Sequence, residues 1–158
     1  MFYDVSGLCD LAHNLEKTNM TADELWEHSG IVGKYEAWSF GDDPDQLAAL
    51  VKAGKKTATC SALIFYELED EEMPQAGEYS IILDSAEHAV CIIRTTNVFV
   101  TTFEAVTEEL AKKEGEGDLS LEYWRSVHRR FFSTELEKIN RQFDEKLELV
   151  FEEFEVVG

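Results

Sequence analysis

Gly54-Lys55-Lys56-Thr57-Ala58-Thr59 stands where a helical pattern stops and a strand pattern begins. Upstream, Leu47, Leu50 and Val51 recur at helical spacing, and Pro44 suits the first turn of that helix. Gly54 is a natural helix terminator. Downstream, Ala58 to Tyr66 is a largely apolar run that reads as a strand. An amine and a hydroxyl three residues apart at such a boundary can do chemistry. Two adjacent lysines also stand out in a chain of net charge −19.

Working outward, Thr21-Ala-Asp-Glu24 has the form of a capping box and predicts a short helix through Leu25 and Trp26. Residues 1–20 are weakly patterned and read as an extension, with one domain over 21–158. Glu67 to Gly77 reads as an acidic loop, Glu78 to Leu83 as a strand, and Asp84-Ser-Ala-Glu87 as its turn. Ala89 to Val100 is a longer strand rich in β-branched residues. Helices follow over Thr107–Lys113 and from Ser120 to about Asn140. Leu147 to Val157 alternates apolar residues with glutamate, which predicts a strand with one buried face. The pattern defines an α+β domain of mostly antiparallel strands with helices around them.

The chain has 158 residues, and 44% are hydrophobic, enough for a packed core. Its negative surface repels long duplex nucleic acid, but salt screens that field beyond about 8 Å, so a local basic pocket can still work. Cys9, Cys60 and Cys91 show no paired or metal-binding spacing and read as reduced thiols of a cytoplasmic protein. The first twenty residues lack the pattern of a signal peptide. No apolar run reaches the roughly 18 residues of a membrane span. No metal and no organic cofactor is expected.

Four segments in this order resemble the ASCH domain family, in its bacterial branch: Phe40-Gly41-Asp42, the Gly-x-Lys-x-x-Thr hexapeptide, Glu114-Gly-Glu-Gly-Asp118, and Leu121-Glu-Tyr-Trp-Arg125. The resemblance covers Thr21 to Val157. It implies a PUA-like β-barrel with surrounding helices, and a cleft lined by Gly54, Lys55, Lys56, Thr57 and Thr59 that suits RNA or a nucleoside. Small family members hydrolyse the acetyl amide of acetylcytidine with a lysine, a threonine and a glutamate. Carried over, these fall on Lys56, Thr59 and Glu114. Those hydrolases are shorter and lack the N-terminal helix and the Trp124–His128–Phe132 helix in this form.

The resemblance therefore implies an amidohydrolase for an acylated nucleoside or similar small amide. The alternatives are a non-catalytic module binding RNA or a nucleotide, and a ribonuclease. Ser61 follows the hexapeptide and is a further candidate for the cleft. Arg94 interrupts an apolar strand, so it faces either solvent or the barrel mouth. With Lys55 and Lys56 it would make the cleft neutral or basic. Trp124 either stacks on a base or packs in the core. His128 is either a ligand contact or a structural histidine. Arg125, Arg129 and Arg130 either contact phosphate or pair with glutamates such as Glu122.

Overall fold

The computed structural model describes residues 19–158. The expected extension over 1–20 therefore lies almost wholly outside the described residues. Helix α1 (Ala22–Ser29) starts at the foreseen capping box: Thr21 and Glu24 exchange side chain-to-backbone hydrogen bonds of 3.2 Å each. It lays Leu25 and Trp26 on Ile81, Ala89 and Ile92 of the sheet. Helix α2 (Pro44–Lys52) is capped by Asp43 and buries Ala48 and Val51.

Strand β1 (Tyr35–Trp38) has no counterpart in the sequence reading. Four residues with Glu36 and Ala37 exposed leave no alternation to detect. The expected strand Ala58–Tyr66 divides into β2 (Ala58–Ala62) and helix α3 (Leu63–Glu69). The partner strand explains the break. Ala62 pairs with Leu149, beside the start of β5 (Glu148–Val156), so nothing remains for residues past Ala62 to pair with.

Strands β3 (Tyr79–Leu83) and β4 (Ala89–Thr102) form the foreseen hairpin. Asp84 Oδ1 accepts from the amides of Ala86 and His88, both at 2.9 Å, and so shapes the turn. The first half of β4 pairs with β3, and from Ile93 onward it pairs with β5. Its register shifts between Thr95 and Asn97, a bulge that bends the strand. A 3-10 turn (Phe103–Ala105) leads to α4 (Glu108–Glu114), capped by Thr107, and α5 (Leu121–Glu137), capped by Ser120.

The sheet order is β1-β3-β4-β5-β2, with β1 and β3 parallel and the other pairings antiparallel. The fold is α+β, with five α-helices among the described residues. The expected closed β-barrel is not formed: β1 and β2 are both edges of the sheet. Curvature brings those edges to opposite walls of one cleft, where Trp38 and Ser61 both appear. On the helical side, Trp124, Phe132, Phe103, Leu149 and Phe151 form a core that fixes α5 on the sheet.

Candidate functional site

Two stretches far apart in sequence make the site, and a glycine sets their approach. After α2, the amides of Lys55 and Lys56 both reach back to Leu50 O, at 3.0 and 3.1 Å. Thr57 donates from its amide (2.7 Å) and its hydroxyl (3.1 Å) to Lys113 O, at the C-terminal end of α4. Gly115 then turns away at φ 69°, and a Cβ built there would lie 2.1 Å from Lys55 O. Only a residue without a side chain permits that approach. Gly115→Ala therefore destabilises by more than about 2 kcal/mol, through a left-handed alanine plus a backbone clash. Urea denaturation checks this, and a loss under half that size would show that the contact yields easily.

The approach places Glu114 against Lys56. Both are buried, at 1% and 2% exposure. Lys56 Nζ lies 3.6 Å from Glu114 Oε1, 3.4 Å from Glu116 Oε2 and 3.4 Å from the Glu114 carbonyl oxygen. It also sits over the Phe40 ring, 5.4 Å from the centroid. On its other oxygen Glu114 accepts from the Trp124 indole N–H. His128 Nε2 is 3.2 Å from the same oxygen, and Cys60 Sγ is 3.9 Å away. His128 Nδ1 is fixed by the Trp124 carbonyl at 2.9 Å, and the two rings stack at 4.2 Å.

Burial pulls the Glu114 carboxyl upward, but Lys56 and His128 outweigh it, and the group lies below the ordinary carboxylate range. Burial pulls His128 downward, Glu114 outweighs that, and the imidazole lies above the ordinary histidine range. Burial, then Glu114, pushes the Cys60 thiol well up, so it is not an activated thiolate.

The two shifts have opposite signs and define a stability plateau. Stability from the raised His128 is complete below the ordinary histidine range and is lost as pH rises through its raised value. Stability from the lowered Glu114 is complete above the ordinary carboxylate range and is lost as pH falls through its lowered value. We expect the urea midpoint to fall on both sides of that window. His128→Gln should remove the alkaline fall, and an unchanged alkaline limb would show that the pair does not couple to folding.

Lys56, Glu114, Glu116 and His128 line a small chamber of about 80 Å³. It shares Phe40, Gly41, Thr59, Cys60 and Phe131 with a larger cleft of about 860 Å³. Thr59 thus stands at the junction of the two. The Lys56 amine bonds to the glutamates and not to the Thr59 hydroxyl. Ser61 lines the larger cleft, with its hydroxyl 2.9 Å from the Tyr66 hydroxyl.

The remaining expected contacts lie elsewhere. Gly54 and Lys55 are exposed outside both cavity walls, and Thr57 is spent on Lys113. Arg94 takes the solvent option: it is exposed, 3.7 Å from Glu155. Trp124 packs in the core between Phe103 and Phe151, so it supports Glu114 instead of stacking on a ligand. Arg129 pairs with Glu145, so one member of the arginine cluster takes a carboxylate partner, though not Glu122. The expected neutral or basic cleft is not formed: of Lys55, Lys56 and Arg94, Lys56 alone lines the small chamber, beside Glu114 and Glu116, and none of the three lines the larger cleft.

Two contributors escaped the sequence reading. Glu116 sits in the quoted glycine-rich segment, one turn residue beyond Gly115, and that spacing was the available signal. Cys60 alternates with Thr59 along β2 and gave no signal. Cys60, Glu114 and His128 could in principle hold a metal ion. The indole N–H and the Lys56 amine already address the same carboxylate, however, which fits a hydrogen-bond acceptor better than a metal ligand.

An open, curved sheet with a helix-backed cleft between its edges defines a PUA-like pocket domain. The chain belongs to the ASCH domain family, whose model matches residues 36–158. It is similar to the ASCH domain of Lactobacillus crispatus at 33% identity and TM-score 0.78, over 84% of this chain and 91% of that one. It is also similar to a protein from Enterococcus faecalis at 40% identity and TM-score 0.75, over 85% and 83% of the two chains. No match to a curated protein was found. Among the described residues no helix is long and apolar enough to cross a membrane.

Proposed function

We propose that the cleft hydrolyses the amide of a small acylated molecule, an acylated nucleoside or an amide of similar size. The observation that carries this reading is the buried Lys56–Glu114 pair in the small chamber, with Thr59 lining both that chamber and the larger cleft. The residue types are those of the acetylcytidine hydrolases that the chain resembles.

In the proposed reaction Lys56 first passes one proton to the Glu114 carboxylate, and the neutral Nζ then takes the proton of Thr59 as Oγ1 attacks the amide carbonyl. The carbon–nitrogen bond breaks, and the amine leaves with the proton from Lys56. Water, deprotonated by the same lysine, then attacks the threonine ester and releases the acid, restoring the hydroxyl. Glu114 and Glu116 position Nζ throughout, and Trp124 and His128 position Glu114.

A second reading, binding of RNA or a nucleotide without catalysis, is favoured by one observation. Arg125, Arg129 and Arg130 share a shallow groove on α5 with Ser126 and Ser133. A phosphate ligand there would bind with a steep salt dependence. Screening acetylated nucleosides for hydrolysis by the purified protein separates the two readings. An inert protein across the panel would favour the binding module.

A further inference from the structure

The large cleft is lined by Glu36, Glu71, Glu72, Glu78, Glu135 and Glu152, and by no lysine, arginine or histidine of the described residues. Glu152 differs from the others because it is 8% exposed. Thr95 Oγ1 donates to its Oε1 at 2.6 Å. Its second oxygen has no donor among the described residues. Every fully buried polar side-chain atom there is bonded, so this oxygen opens to the cleft.

The charges nearest to Glu152 are of the same sign. Burial pushes its carboxyl up, the Thr95 hydroxyl pulls it back, and Glu78 and Glu36 push it up again, leaving it above the ordinary range. A buried carboxylate without a counter-ion is costly. The remaining wall carries Trp38, Phe65, Tyr66 and Phe131, and aromatic faces attract cations. Carboxylates interleaved with aromatic rings make a surface for an alkylammonium group and repel a polyanion.

We propose that Glu152 anchors the ammonium group of a cationic ligand, and that the substrate class is an acylated alkylamine with a second, free amine. Glu152 pairs across the strands with Thr59, so the two side chains share one face of the sheet with Cβ atoms about 5 Å apart. An amide at Thr59 and an ammonium at Glu152 then fit a spacer of a few methylenes. The exposed glutamates of the outer wall extend the same recognition to a longer polyamine. The hydrolytic half rests on the function proposed above, whereas the cation half does not.

Calorimetric titration of the Thr59→Ala protein tests the cation site without turnover, using N-acetylputrescine and its neutral isostere N-pentylacetamide. N-acetylputrescine should bind at least about tenfold more tightly. Added salt should weaken the cation and spare the isostere. Glu152→Gln keeps an acceptor for Thr95 and should erase the preference. Equal binding of the two compounds, no binding of N-acetylputrescine, or a preference that survives Glu152→Gln would overturn the proposal. Selective binding with no hydrolysis by the parent protein would remove the hydrolase reading and leave the cation site. Hydrolysis of neutral acetylated nucleosides without cation preference would do the reverse.

Discussion

If the proposed hydrolysis is correct, Thr59→Ala should lower turnover of an acylated substrate by about a thousandfold, with circular dichroism unchanged. The expectation follows from position. Thr59 lines both the chamber that holds Lys56 and the larger cleft beside it. Thr59→Ser should keep part of the activity because the hydroxyl remains. Lys56→Arg should lose it, because a guanidinium cannot take a proton at neutral pH. The measurement is turnover by parent and variants side by side. An active Thr59→Ala protein would remove the covalent threonine step and leave a lysine-activated water.

Glu114→Ala destabilises the fold by about 3–5 kcal/mol, the range for breaking a buried ion pair by deleting one partner. Three donors converge on this carboxylate besides Lys56: the Trp124 indole, His128 and the Cys60 thiol. Removing it strands a buried amine and an indole N–H together. Glu114→Gln keeps the shape and an acceptor oxygen, so its loss should be smaller. Urea denaturation of both variants checks the order. A Glu114→Ala loss below about 1 kcal/mol would mean that water or Glu116 replaces the missing charge.

The parts of this molecule that were legible in sequence were those carried by local rules. Thr21 and Glu24, Asp43 and Pro44, and Thr107 and Ser120 mark helix starts through their own side chains. The long strand and the alternating C-terminal strand declared themselves by period. What stayed hidden depends on partners. Residues 63–66 look like strand until one sees that β5 begins opposite Ala62. The parallel strand β1 is held by β3 and shows no pattern of its own.

The candidate site divides in the same way. Lys56, Thr59 and Glu114 were reachable from motif order, and the fold brings all three to one chamber. The fates of Arg94 and Trp124 were not reachable. Each depends on which face of its element meets the cleft, and sequence spacing left both faces open. Glu152 was one glutamate among 33 acidic residues. Its isolation from cations appears only when the sheet curves around it.

Strand β2 carries Thr59, yet its hydrogen-bonded neighbour is β5, near the far end of the sequence. On a ribosome, residues 58–62 emerge long before residues 148–156. Until then the nascent chain presents an unmatched apolar ribbon, and the chamber cannot exist. Assembly of the pocket is thus a late, long-range event in the life of the chain. Loss of the last strand would dismantle the pocket, and remove Glu152 with it, even though every residue proposed for the hydrolytic step had already been made.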